Sequence, residues 1–177
     1  MIITISGTSG AGKSTVAKFL AEKLHYKHYS TGDILRKLAV ERGMTINELM
    51  IAAKKDKSID SDIDSYSKKL GENEDNFVID SRLAWYFIPK SVKVFLDADL
   101  KTRAERIFRQ RREEEKFETF EEAMELMEER EKVNLGRYKK VYGVTYLDKK
   151  NYDLAIDTTS TTAEEVGEKI LKFIQKK

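Results

Sequence analysis

Two sets of residues in this chain could do chemistry on phosphates: a glycine-rich run ending in Lys-Ser, and arginines spaced along helix faces. Gly7-Thr8-Ser9-Gly10-Ala11-Gly12-Lys13-Ser14 matches the phosphate-loop pattern G-x-x-x-x-G-K-[ST] at every fixed position. Glycines in such a loop let backbone N–H groups converge on phosphate oxygens, and the helix that follows adds partial positive charge. Lys13 is then expected to reach the β- and γ-phosphates of a nucleotide, and the Ser14 hydroxyl to ligate Mg2+. Gly7, Thr8, Ser9, Gly10, Ala11, Gly12, Lys13, Ser14 and Thr15 form the candidate ATP site. Asp80 ends the apolar run Phe77-Val78-Ile79. A carboxylate at that end of a buried parallel strand either holds Mg2+ through water or caps a turn. Arg103 and Arg106 share a face at i, i+3, and Arg130, Asn134 and Arg137 share another at i, i+4, i+7. These faces either close over phosphates or are solvated basic surface. Asp33 and Arg36, on their own, read as a solvated i, i+3 pair. His25 and His28 read as ordinary surface or turn residues, because no second ligand lies at metal spacing.

The elements that must position these groups are legible from periodicity. Met1 to Ser6 is an apolar, β-branched run suited to a buried parallel strand, and Val16, Phe19, Leu20 and Leu24 follow at helical spacing. His25 to Ser30 is a short second strand, after which Ser30 or Thr31 caps a helix carrying Asp33 and Arg36. Thr45–Lys55 and Asp60–Leu70 are amphipathic helices without evident chemistry, and Gly71 to Asn76 is a polar turn. Strands are expected at Phe77–Asp80, Ser91–Asp97 and Tyr152–Thr159. Asp99 and Thr102 open a helix bearing Arg103, Arg106, Arg109, Arg111 and Arg112, with Glu113 to Glu115 as solvated surface beyond. Thr119 and Glu122 form a capping box at the start of a long helix, and Thr161 and Glu164 form another at the start of the last. That last helix buries Val166, Ile170, Leu171 and Ile174, while Tyr138, Tyr142 and Tyr146 are packing residues. Alternating strands and helices, with about five strands, imply a parallel sheet covered on both faces.

Composition excludes several function classes. The 177 residues carry 33 basic and 31 acidic side chains, a net charge of +2 that gives no case for nucleic-acid binding. No cysteine is present, so disulfides, thiolate metal sites and thiol nucleophiles are ruled out. No apolar run approaches a membrane span, and the first strand starts at once, so a cytosolic protein without a signal peptide is expected.

The phosphate loop, the Ser30-Thr31-Gly32-Asp33-x-x-Arg36 run, the Val78-Ile79-Asp80-Ser81-Arg82 strand end and the Arg130…Arg137 helix together resemble the nucleoside monophosphate kinases, above all the short, archaeal type of cytidylate kinase. The resemblance spans nearly the whole chain. It implies one α/β P-loop kinase domain over residues 1–177, with a five-stranded parallel sheet in order 2-3-1-4-5 and helices on both faces. A lobe binding the nucleoside monophosphate is implied at about 31–75, and a lid at about 103–120. Ser30, Asp33, Arg36 and Arg82 would face the acceptor nucleotide, with Arg36 on its phosphate. Lys13, Arg103, Arg130 and Arg137 would handle the transferring phosphates, and Ser14 and Asp80 would hold Mg2+. The chain departs from bacterial members of the family, which have Gly-Arg-Asp where Ser81-Arg82-Leu83 stands, an Arg-Asp-Asp stretch in place of Arg130 to Asn134, and a long insert in the acceptor lobe. Those segments concern the base and the sugar, so phosphate handling carries over more directly than base identity.

The implied activity is Mg2+-dependent transfer of the ATP γ-phosphate to CMP, and to dCMP, by a monomer acting on small nucleotides without nucleic acid or membrane partners. An ionised phosphate acceptor needs no general base, so catalysis rests on positioning and charge stabilisation. Competing readings are an adenylate kinase, a small-metabolite kinase of the shikimate or gluconate type, and a nucleotide-switched assembly factor of kinase fold. A GTPase is disfavoured because the guanine-reading Asn-Lys-x-Asp motif is absent.

Overall fold

The computed structural model describes residues 1–52, 57–110 and 117–176. Its centre is β1 (Ile2–Gly7), every residue of which is buried. β3 (Phe77–Asp80) pairs with it on one side and β4 (Val92–Asp97) on the other, both parallel. β2 (Lys27–Ser30) lies outside β3, and β5 (Leu154–Asp157) lies outside β4. The order is therefore β2-β3-β1-β4-β5, as expected.

Strand periodicity sorts the core into two layers. Ile3, Ile5, Val78, Val94 and Leu96 pack with Val16, Ala17 and Leu20 of α1 (Lys13–Leu24) and with Val166 and Ile170 of α8 (Ala163–Ile174). Their neighbours Ile2, Phe77 and Ile79 face the opposite layer, where Leu70 of α4 (Lys57–Asn73) and Ala84 of α5 (Ala84–Phe87) cover them. The buried hydroxyls of β1 find partners. Thr4 Oγ1 lies 3.0 Å from Ser91 Oγ, and Ser6 Oγ donates to the Arg82 carbonyl at 2.9 Å. Those bonds remove the cost of burying polar groups mid-strand.

Beyond β2 the chain forms α2 (Thr31–Glu41) and α3 (Ile46–Ala52), joined by a small core of Ala39 and Leu49. Beyond β4 come α6 (Leu100–Gln110) and the 23-residue α7 (Phe120–Tyr142). α7 lays Tyr138 against Leu83, Trp85 and Tyr146 in a separate aromatic cluster, so the three tyrosines do pack. No helix among the described residues is long and apolar enough to cross a membrane.

Four local expectations need correction. His25 is not in a strand; it ends α1 in the left-handed conformation, φ 55°. The turn expected from Gly71 is helical as far as Asn73, because Gly71 lets α4 pack closely on Ile88. α4 also starts earlier than Asp60, at Lys57. The last capping box is Thr162 with Glu165, one residue later than read. Thr161-Thr162-Ala163-Glu164-Glu165 offers the pattern in two registers, and burial of Val166 and Ile170 selects the second. Thr119 and Glu122 form their box as read. α3 is described only to Ala52, and residues 53–55 of the expected helix, with Arg111, Arg112 and Glu113 to Glu115, lie outside the described residues.

Candidate active site

The glycine-rich loop joins the carboxyl end of β1 to α1. Two glycines are obligatory for its path. Gly7 has φ 143°, and a Cβ there would lie 1.9 Å from the Leu96 carbonyl oxygen of β4. Gly10 has φ 81°, and its Cβ would meet the Arg103 carbonyl oxygen at 2.5 Å. The loop thus runs directly against β4 and α6, where a side chain cannot be accommodated. Thr8 fastens it to the same strand β4, its hydroxyl donating to Asp97 Oδ1 at 2.9 Å and its N–H to the Leu96 carbonyl at 3.3 Å. Lys13 Nζ reaches back over the loop to the Thr8 carbonyl at 2.6 Å. α1 has no capping side chain and no acid in its first turn, so its N–H groups and positive dipole end face the loop interior.

Asp80 stands at the end of β3, 4% exposed, and collects hydrogen bonds from three residues of two other elements, α1 and β2. Ser14 Oγ of α1 donates to Oδ2 at 2.8 Å, Ser30 Oγ of β2 to the same oxygen at 3.0 Å, and His28 Nε2 lies 2.7 Å from Oδ1. Burial alone would raise the carboxyl pKa. The His28 and Ser14 bonds, with the Lys13 charge nearby, hold it below the usual aspartate value instead. Asp80 is therefore an ionised group tied to Ser14, not a turn cap. Among the described residues no group of three or more His, Asp or Glu could cage a metal. The Ser14 and Asp80 oxygens are hard donors of the kind Mg2+ takes when phosphates and water complete its shell.

Four of the six expected cations line a cleft of about 490 Å³. Lys13, Ser14 and Asp80 line it together with Arg36, Arg82 and Arg130. Ser81 Oγ accepts from the Leu83 and Ala84 N–H groups, turning the chain into α5, and Trp85 Nε1 donates to the Arg82 carbonyl at 3.0 Å. The Arg82 guanidinium, held in that turn, donates to Ser9 Oγ at 2.6 Å. Burial works against its charge, but the Tyr138 and Tyr146 phenols and the Glu131 carboxylate keep its pKa above the ordinary arginine value. Arg36 pairs with Asp33 one turn into α2, where Ser30 accepts the Asp33 N–H as cap at 3.4 Å. The local pair read from sequence is thus present, with Arg36 on the cleft wall and the Asp33 side chain 61% exposed.

Other expected residues fall elsewhere. Arg103 is buried, donates to Glu131 Oε2 at 3.0 Å, and approaches the Ser9 carbonyl at 3.5 Å. It braces the back of the loop and does not line the cleft. Arg106 does line it, donating to the Thr158 carbonyl at 2.6 Å and the Thr158 hydroxyl at 3.1 Å. Asn134, 2% exposed, lines the cleft with Arg130. Arg137 lies one turn further along α7 and opens instead on a smaller recess, donating to Tyr138 Oη at 3.2 Å. Sequence reasoning passed over His28. The signal was available, because Ser30 was chosen and the residue two before it on a strand faces the same way. Thr158 and Glu131 carry no such signal, since their partners come from other elements.

Kinases of the P-loop class are built on this plan, with the phosphate loop after a central parallel strand and cations converging from several helices. A shikimate kinase from Aquifex aeolicus superposes with a TM-score of 0.61 over 99% of this chain and 96% of its own, at 22% identity, a likeness of fold alone. The model of the cytidylate kinase-like family matches residues 2–160. The cytidylate kinase of Natronomonas pharaonis is 42% identical over 168 residues, covering 94% of this chain and 85% of that protein. That of Methanocella arvoryzae is 40% identical, covering 98% and 97%. The chain belongs to the cytidylate kinase-like family.

Proposed function

We propose that the protein transfers the γ-phosphate of ATP to CMP, and to dCMP, giving ADP and CDP or dCDP, with Mg2+. The observation that carries this is the meeting in one cleft of the phosphate loop and the Ser14–Asp80 pair with a second set of cations, Arg36, Arg82 and Arg130. Two polyanions must be brought together in this reaction, and one cleft holds cations beyond those of the phosphate loop. Membership of the cytidylate kinase-like family supports a nucleoside monophosphate as the acceptor.

In the proposed reaction an ionised phosphate oxygen of the acceptor attacks the γ-phosphorus in line. The bond from that phosphorus to the β–γ bridging oxygen breaks, and ADP leaves with the electron pair. The acceptor oxygen carries no proton to remove, so His28 stays on Asp80 as a positioning group. Gly7 to Thr15 cradle the donor. Lys13 exchanges the Thr8 carbonyl for phosphate oxygens. Ser30, Asp33, Arg36 and Arg82 bind the acceptor from a lobe at 31–75, with Asp33 holding Arg36 in orientation. Arg130 approaches the transferred group from α7, Arg137 turns toward it from the adjoining recess, and Arg103 keeps the loop in register. Ser14 and Asp80 would hold Mg2+, which would supply charge neutralisation of the donor phosphates. A lid at about 103–120 closes to keep water from the reacting group. The enzyme works as a monomer in the cytoplasm.

Steady-state rates with ATP against CMP, dCMP, UMP, AMP and shikimate test the proposal. CMP is expected to have the highest kcat/KM, with dCMP close behind. AMP outrunning CMP assigns an adenylate kinase, and slow hydrolysis without any acceptor leaves the enzyme reading without support.

A further inference from the structure

Two arginines grip the phosphate loop at one residue. Arg82 Nη2 donates to the Ser9 hydroxyl at 2.6 Å, and Arg103 Nη1 approaches the Ser9 carbonyl at 3.5 Å. α6 is seated on the next residue of the loop as well, where the Arg103 backbone leaves no room for a Cβ on Gly10. One carboxylate serves both arginines. Glu131 Oε2 accepts from Arg103 Nη1 at 3.0 Å. Burial works against the Arg82 charge, and the Tyr138 and Tyr146 phenols and the Glu131 carboxylate work for it. The Arg103 and Glu131 side chains are only 10% and 23% exposed. An ion pair so placed adds little net stability, because the cost of taking both charges out of water offsets their attraction. What it can fix is geometry.

We infer that Glu131 is a positioning residue for phosphate transfer: it ties α7 to the phosphate loop through Arg103 and so sets how far Arg130 stands from the transferred group. The inference rests on the transfer reaction proposed above. Glu131 follows Arg130 in α7, and successive helical residues point about 100° apart. Glu131 therefore turns to α6 and the loop while Arg130 lines the cleft. Glu131 itself does not line the cleft, so it acts through its neighbour. A helix is rigid from one residue to the next, and the path from Ser9 through Arg103 to Glu131 fixes the reach of the arginine beside it. Elsewhere α7 is held by aromatic contacts. Phe120 meets Phe108 of α6 edge-on at 6.3 Å, and Tyr138 meets Tyr146 edge-on at 5.6 Å. Apolar burial is non-directional and tolerates a small slide or rotation of the helix. A charge-assisted hydrogen bond has a set length and direction, and holds the register that apolar contact leaves loose.

The test is Glu131→Gln, with kcat and the KM values for ATP and CMP measured in the wild-type and Arg130→Lys backgrounds, alongside thermal unfolding. Glutamine keeps the shape and an acceptor oxygen but not the charge, so the tie to Arg103 loosens. A displacement of about 1 Å can cost about 10²-fold in rate. We expect kcat to fall by about 10- to 100-fold, with both KM values within about threefold of wild type, because the contact that Arg130 makes strengthens in the transition state. In the Arg130→Lys background the same change should cost much less, since the guanidinium that Glu131 positions is already gone. Glu131→Asp keeps the charge on an arm one methylene shorter. It should lower kcat by a smaller factor, and it carries the test in both backgrounds if Glu131→Gln does not fold. A wild-type kcat in the folded variant, even with a lowered melting temperature, overturns the positioning role and leaves the pair structural. An equal fall in the two backgrounds overturns it as well, because Glu131 then acts without Arg130. Wild-type protein that phosphorylates no nucleoside monophosphate overturns the transfer reading itself, and this role with it.

Discussion

Asp80→Asn separates the structural from the catalytic work of the group on which α1 and β2 converge. The substitution keeps size and shape but removes the charge. In the native site Oδ2 accepts from Ser14 at 2.8 Å and Ser30 at 3.0 Å, while Oδ1 meets His28 at 2.7 Å. An amide can turn its oxygen to the two serines and its NH2 to His28, which then accepts in its other tautomer. Each lost charge-assisted bond costs about 1.5–3 kcal/mol, but a weaker neutral bond replaces it. The charge that had to be desolvated is also gone. The two effects oppose, and we expect a stability change of no more than about 2 kcal/mol. Activity has no such compensation. The neutral amide leaves the positive charge of Lys13 and Mg2+ without its counter-charge, in a site where removing one positioned group costs about 10²–10³ in kcat. The assay is kcat at saturating ATP and CMP over a Mg2+ titration, alongside thermal unfolding. The expected result is a loss of about 10²-fold or more, with half-maximal activity moved to higher Mg2+. A variant within about threefold of wild type, less than ~1 kcal/mol in the barrier, with an unchanged Mg2+ midpoint would refute the reasoning and leave Asp80 a structural hub for β2 and α1.

Three further outcomes follow from particular contacts. Gly10→Ala places a methyl 2.5 Å from the Arg103 carbonyl oxygen at a φ of 81°, so the loop must shift; the KM for ATP should rise at least tenfold while far-UV circular dichroism stays native, and a normal KM would show the loop yields freely. Arg130→Lys keeps the charge but loses the planar fork, so kcat should fall well beyond threefold with stability unaltered, as equal rates would return this face of α7 to ordinary surface. Burial pushes the Tyr146 phenol up to about 12, against an opposing pull from the Arg82 charge. The folded state therefore keeps a proton that the unfolded state releases near pH 10. Stability conferred in this way is complete below pH 10 and is lost as pH rises toward 12. Tyr146→Phe should flatten that alkaline loss in denaturant titrations at pH 9 to 12, and an unchanged slope would show the phenol titrating normally.

What was legible in the sequence was local in its physics. The β1 run, the glycine loop and the start of α1 are consecutive, and each constrains its neighbours, so strand, turn and helix could be read together. Asp80 and Ser30 were legible because strand ends in a parallel sheet meet at one edge. Glu131 was not. It stands in the charged run Glu128-Glu129-Arg130-Glu131-Lys132, and only the packing of α7 on α6 decides which of those side chains meets Arg103. The arginines show the same division. Their shared faces follow from spacing, but spacing does not reveal what each grips. Arg103 takes Glu131, Arg106 takes Thr158 and Arg36 takes Asp33, so three residues of one type hold two carboxylates and a backbone carbonyl. Lys13 donates to the carbonyl of its own loop in the same manner. Phosphate binding at Lys13 exchanges a neutral carbonyl for a charged oxygen, the stronger acceptor, so the cation needs little reorganisation when the nucleotide arrives. Arg103 differs because its pair with Glu131 is largely buried behind the loop, whereas Arg36 lies on the cleft wall and pairs with an Asp33 side chain that is 61% exposed. That difference in burial, which no spacing rule encodes, separates the arginine that braces the loop from those that can turn to a phosphate.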